Sequence, residues 1–156
     1  MSLLFSRECE YALQAVLYLA LQRENSMTSI KTLTRKLGIP YHFLAKILQK
    51  LTRKGLLCSL KGPTGGFTLA LPAEKITLFQ IIEATDGAEF MTTCVLGFSE
   101  CSGRNPCSVH EQWDSLRTSI HAMLIDKDIS QMARETRKPE YQTKRMRSGA
   151  MSHGDA

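Results

Sequence analysis

The chain has 156 residues, 43% of them hydrophobic, with 20 Lys+Arg against 15 Asp+Glu for a formal net charge of +5. That composition gives enough apolar side chain for one domain, or one small domain plus an appendage, and excludes a disordered chain. The chain lacks an apolar run of about 18 residues, which excludes a transmembrane helix; Arg7, Glu8 and Glu10 interrupt any signal-peptide stretch, so a cytoplasmic location is expected; five cysteines, an odd number, argue against a disulfide framework.

Residues 6–22 read as an amphipathic helix. Ala12, Ala15, Val16 and Leu19 follow the i, i+3, i+4, i+7 spacing, and Leu13, Leu17 and Ala20 widen the stripe. An acid-free segment follows. Between Asn25 and Ala73 there is no Asp or Glu, and eight residues are basic: Lys31, Arg35, Lys36, Lys46, Lys50, Arg53, Lys54 and Lys61. The rest of the chain carries 12 basic and 15 acidic residues, so the total of +5 conceals a +8 block beside a remainder of −3. Such a block suits a polyanion, usually nucleic acid, or is simply a solvated basic face.

The pattern inside the block favours nucleic acid. Thr28 and Ser29 are helix-start residues, and Ile30, Leu33 and Leu37 follow at helical spacing to Gly38, a helix stop. Pro40 opens a second helix, where its missing N–H costs nothing. Tyr41, Leu44, Ile47, Leu48 and Leu51 form the expected buried stripe of this helix, and His42, Lys46, Gln49, Lys50 and Arg53 the polar face, up to Gly55. Two short helices joined by a tight Gly-Ile-Pro turn are a helix-turn-helix signature, whose second helix enters the DNA major groove. Tyr41, His42, Ala45, Lys46 and Gln49 are then placed to reach base edges, and Lys50, Arg53 and Lys54 to hold phosphates. An ordinary helical hairpin with a wet basic face is the alternative.

Leu56–Leu60 and Phe67–Leu71 read as strands around the turn cluster Lys61-Gly62-Pro63-Thr64-Gly65-Gly66. A hairpin directly after the recognition helix, with Lys61 near its tip, is the wing of a winged helix. Both Cys9 and Cys58 fall on apolar-patterned elements and are expected to be core thiols. Thr77-Leu78-Phe79-Gln80 is a capping box that starts a helix running to about Thr85, stopped by Asp86-Gly87. Residues 88–105 lack periodicity. A long helix is expected over 107–125, with Trp113, Leu116, Ile120, Met123 and Leu124 as its apolar stripe. In a small DNA-binding protein such a stripe finds its partner in a second copy. Residues 130–135 suggest a short helical turn, and the polar, basic segment from Arg137 a disordered tail.

Within 88–110 the segment CVLGFSECSGRNPC holds Cys94, Cys101 and Cys107, and His110 lies three residues further on. Three soft thiolates and an imidazole in 17 residues form a metal-ligand set. The gaps of six and five residues are wider than those of a zinc knuckle and suit a larger inorganic cluster, with a zinc staple as the alternative. Glycine-rich phosphate loops and nucleophile–base pairs do not stand out, which argues against an enzyme; a small iron–sulfur electron carrier is a more remote alternative.

The stretches EYALQAVLYLA, GIPYHFLAKILQKLTRKGLL, KGPTGGFTLA and ITLFQIIEATDG, together with the three-cysteine loop, resemble the iron–sulfur winged-helix transcription regulators of the IscR, NsrR and RirA type over roughly residues 1–125. The resemblance implies a homodimer on a double-stranded DNA operator, with operator affinity switched by an iron–sulfur cluster. It implies Cys94, Cys101 and Cys107 as cluster ligands. The Cys107-Ser108-Val109-His110 spacing is similar to the IscR branch, where the matching His is the fourth ligand of a 2Fe–2S cluster. The NsrR branch uses a carboxylate on the first helix of the other subunit for a 4Fe–4S cluster, and Glu10 aligns with it. His110 and 2Fe–2S are preferred here, Glu10 and 4Fe–4S being the alternative. The first gap of six residues departs from the five of IscR and NsrR and the seven of RirA.

The expected fold is therefore mainly α with a small β-hairpin wing: a winged helix-turn-helix domain over 1–86, a cluster-binding loop over 87–110, a dimerisation helix over 107–125 and a basic tail over 137–156. Its expected DNA contacts are Tyr41, His42, Lys46, Gln49, Lys50, Arg53 and Lys61.

Overall fold

A computed structural model describes residues 4–136, and the tail expected over 137–156 lies outside the described residues. Six α-helices and one hairpin follow in order: α1 Arg7–Ala20, α2 Ile30–Leu37, α3 Tyr41–Arg53, β1 Leu57–Leu60, β2 Gly66–Leu69, α4 Leu78–Asp86, α5 His110–Asp126 and α6 Ile129–Thr136. Short 3-10 turns cover Ala73–Lys75 and Glu89–Met91. None of the described helices is long and apolar enough to cross a membrane.

Local chemistry explains the helix ends. Ser6 caps α1 by accepting from the Cys9 N–H, and Ser29 caps α2 by accepting from the Thr32 N–H. Gly38 then adopts φ 65°, ψ 26°, a left-handed conformation that costs glycine little and turns the chain sharply. The turn drives Ile39, 1% exposed, into the core and starts α3 from Pro40. The Thr77–Gln80 capping box forms in full: Gln80 Oε1 accepts from Thr77 N at 2.8 Å, and Thr77 Oγ1 from Gln80 N at 3.3 Å.

The main core gathers Ala12, Ala15 and Val16 of α1, Leu33 and Leu37 of α2, and Leu44, Ile47, Leu48 and Leu51 of α3. Burying each of the Val, Leu and Ile side chains in this set contributes about 1.5–3 kcal/mol, and each Ala methyl less. The hairpin is antiparallel with Leu57 opposite Leu69 and Leu60 opposite Gly66. It is stitched to the chain before α2: Thr28 N donates to Phe67 O at 3.0 Å and Phe67 N to Thr28 O at 2.9 Å. Thus Ser29 alone acts as the cap, and Thr28 serves the wing.

A second, smaller core joins Cys9, Ile82 and Leu124, with Phe5, Phe79, Phe90 and Ile120 packed against it. It seats the C-terminal half of α5 on α4, helped by an edge-on contact of Phe79 with His121 at 4.9 Å.

Several expectations change. Helix α5 starts at His110, because residues 107–109 form a turn whose Cys107 carbonyl accepts the His110 N–H at 3.2 Å. Its stripe splits: Leu124 is buried and Ile120 half-buried, whereas Leu116 and Met123 are each 53% exposed. The turn expected over 130–135 is a full helix, α6, that returns to α1 and buries Ile129 and Ala133. Cys9 is buried as expected, but Cys58 is exposed, because strand alternation turns Leu57 inward and Cys58 outward. Tyr41, the first residue of α3, is 49% exposed rather than part of the buried α3 stripe.

Candidate nucleic-acid interface and cysteine site

The acid-free block folds into one connected unit, α2, α3 and the hairpin. His42, Lys46, Gln49 and Arg53 are exposed along α3, and Lys61 is exposed in the hairpin loop. A groove of about 830 Å³ runs between α3 and the wing, lined by Lys31, Tyr41, Gln49, Arg53, Lys61 and Phe67 among others. Three cations, an amide and a phenol thus share one concave surface. This is the mixture that phosphate positioning and base-edge reading require. Of the eight basic residues, Lys50 alone forms an ion pair among the described residues.

Lys50, expected from the sequence to hold a phosphate, has contacts within the protein: its Nζ lies 2.9 Å from Glu8 Oε1 and 2.9 Å from the Thr85 carbonyl. Phe43, which the sequence reading passed over, is 62% exposed on α3. Its position outside the i, i+3, i+4 stripe already marked it as outward-facing.

The cysteine loop brings its predicted ligands together. The sulfur atoms of Cys94, Cys101 and Cys107 lie within 4.8 Å of one another. Cys94 and Cys107 are 3.7 Å apart, and Cys101 Sγ is 3.2 Å from His110 Nδ1. All three thiols are free and half-buried. Glu10, on α1, is not part of this group within the chain.

Tight turns create the convergence. Gly97 N donates to Cys94 O at 3.0 Å, and Cys101 N to Phe98 O at 3.2 Å. Ser102 and Asn105 exchange backbone hydrogen bonds at 3.2 and 3.1 Å and so close the second gap. The loop is fastened to α5 just before Cys94. Both the Trp113 indole, at 2.9 Å, and Arg117, at 3.4 Å, donate to the Thr93 carbonyl. The i, i+4 spacing of Trp113 and Arg117 put them on one helix face, but their shared acceptor was not legible from the sequence.

The same turns tune the sulfurs. The Phe98 backbone N–H aims at Cys94 and, against some desolvation and with help from Leu96 and the other two thiols, lowers its pKa to about 7. At Cys101 the Cys107 backbone hydrogen bond lowers the pKa, but burial and the adjoining Cys107 and Cys94 together raise it on balance. Burial pushes Cys9, in the second core, up to about 11. Cys94 is therefore the thiol these turns poise as a thiolate, and the buried Cys9 is not.

Helix-turn-helix, wing and grouped thiols together define a winged-helix transcriptional regulator with three cysteines gathered in one loop. The Rrf2 family model, described as an iron-dependent transcriptional regulator, matches residues 5–135, and the chain belongs to that family. A candidate HTH-type transcriptional regulator of Aquifex aeolicus is 39% identical over 120 residues, 76% of this chain and 83% of that protein. The HTH-type transcriptional regulator IscR of Vibrio atlanticus is 28% identical over 146 residues, 94% of this chain and 84% of that protein. Two solved structures, each 23% identical, share the fold. CymR, the global cysteine regulator of B. subtilis, gives a TM-score of 0.75 over 86% of this chain and 99% of that one. T. potens IscR gives 0.67 over 92% and 93%. The chain is a DNA-binding transcriptional regulator and not an enzyme.

Proposed function

We propose that this regulator holds an iron–sulfur cluster through Cys94, Cys101, Cys107 and His110, and that the cluster sets its affinity for a double-stranded DNA operator. The observation that carries the reading is the grouping of donors into two pairs, Cys94 with Cys107 at 3.7 Å and Cys101 with His110 at 3.2 Å. Two ligands for each of two irons is the donor set of a 2Fe–2S cluster, with histidine replacing one thiolate. Bound there, the cluster supplies a centre that responds to iron supply, cluster supply, nitric oxide or redox state.

The chain's own residues make that response reach DNA. Cys94, Cys101, Cys107 and His110 would hold the cluster between the loop over 88–107 and the first turn of α5, because His110 is the first residue of that helix. Trp113 and Arg117 hold the loop's other side at Thr93. Leu116 and Met123, each 53% exposed and two turns apart on one face of α5, meet the same face of a second copy. The pose of α5 then sets the separation of two recognition helices, which must match half-sites ~34 Å apart.

Tyr41, His42, Lys46 and Gln49 read bases in this scheme, while Arg53 and Lys61 hold phosphates. The test is operator binding by anaerobically purified protein, before and after metal removal, and by Cys101→Ser. Affinity that differs at least tenfold, or ~1.4 kcal/mol, between loaded and stripped protein supports the switch. Equal affinity in all three preparations excludes it.

A further inference from the structure

Lys50 lies on the recognition helix and carries charge, yet its ammonium joins three helices. Glu8, its ion-pair partner, is in the first turn of α1, and Thr85, its second acceptor, is in the last turn of α4. Both placements suit the helix ends: the carboxylate sits at the positive end of α1 and the ammonium at the negative end of α4. A second tie reinforces the junction. Ser6, the cap of α1, donates its N–H to Asp86 Oδ2 at 2.8 Å and its hydroxyl to Asp86 Oδ1. Only the Lys50 tie reaches α3.

The side chains of Lys50 and Glu8 are 31% and 43% exposed, so solvent screens the pair and its share of global stability is small. Its geometric effect is larger. Lys50 follows Gln49 by one residue, about 100° around the helix, and precedes Arg53 by three. Fixing Lys50 against α1 and α4 fixes the direction in which Gln49 and Arg53 leave α3.

We propose that the Glu8–Lys50–Thr85 clamp sets the rotation and seating of α3, making Lys50 and Glu8 positioning residues for base recognition that touch no DNA themselves. The inference rests on DNA binding alone and holds whatever the cysteine site carries.

The test uses the full chain, a duplex selected from a random library with the wild-type protein, and a scrambled duplex of equal length, titrated over a salt series. Glu8→Gln adds one net positive charge, so charge alone strengthens binding to any DNA. The clamp predicts the opposite for the selected duplex: affinity falls about tenfold while scrambled-duplex affinity is kept or raised. Lys50→Met gives the same loss of discrimination with an unchanged slope of log K against log salt, and the double variant falls no further than the worse single one. Circular dichroism fixes a temperature at which every variant is folded. Glu8→Gln protein that holds the selected duplex as tightly as wild type overturns the proposal. So does a Lys50→Met slope reduced by about 0.9 per lost phosphate contact, with both duplexes weakened alike. A lowered melting temperature with intact discrimination reduces the clamp to a structural tie and also overturns it.

Discussion

Gly66→Ala perturbs the point where the wing joins the helix-turn-helix unit. Gly66 has φ +153°, and a Cβ there falls 2.3 Å from the Thr28 carbonyl oxygen and 2.5 Å from its carbon, both backbone atoms. Neither can step aside while Thr28 and Phe67 keep their paired hydrogen bonds of 3.0 and 2.9 Å. Losing both costs about 2 kcal/mol, at ~1 kcal/mol each. Backbone strain at a φ that alanine avoids adds about 1 kcal/mol. For a chain of this size, a total near 3 kcal/mol lowers the melting temperature by roughly 6–12 °C. Thermal denaturation followed by circular dichroism measures the shift, and amide hydrogen exchange at Thr28 and Phe67 locates it. Operator affinity falls as well, because Lys61 rides on the detached hairpin. A variant melting within about 2 °C of wild type, with both amides still protected, refutes the reasoning.

Further outcomes follow from the same geometry. His110→Ala removes the donor 3.2 Å from Cys101, so loaded protein loses its cluster to a chelator faster, while metal-free protein binds DNA as before; unchanged release contradicts the ligand assignment. Leu116→Lys with Met123→Lys places charge on the half-exposed apolar face of α5 and shifts the chain from dimer to monomer in sedimentation; an unchanged mass contradicts the assigned interface. In metal-free protein, alkylation of Cys94 rises through pH 7, where half its thiol is ionised at a pKa of about 7. Cys9, with a pKa of about 11 and only about one thiolate in ten thousand at pH 7, stays unlabelled until the protein unfolds. Peptide mass mapping reads both, and equal labelling rates contradict the assignment.

Much of this architecture was legible in sequence because local signals agreed with tertiary packing. The Ser29 cap, the Gly38 stop, the Thr77–Gln80 capping box and the helical stripes all act within one or two turns, and each appears in the structure. Cysteine clustering was legible for the same reason, since three thiols within 14 residues, with glycines and a proline that favour tight turns between them, are readily folded together. The misreadings are long-range. The contacts of Lys50 with Glu8 and Thr85 went unread because those partners lie 42 and 35 residues away, at helix ends that only the fold brings near. Cys58 read as core because a four-residue strand gives too few alternations to fix which face is inward. The α5 stripe read as one surface, but packing on α4 takes Ile120 and Leu124 and leaves Leu116 and Met123 outside. Helix α6 read as a turn because its buried set, Ile129 and Ala133, is a single i, i+4 pair.

The account rests on what the four donors at the start of α5 hold. Strictly anaerobic purification of the full chain, followed by iron, zinc and acid-labile sulfide analysis and a visible spectrum, addresses this directly. The account predicts two irons and two sulfides per chain, with visible absorption that disappears in Cys101→Ser. One zinc per chain in a colourless protein would contradict it and leave the loop as a structural staple on a winged-helix regulator.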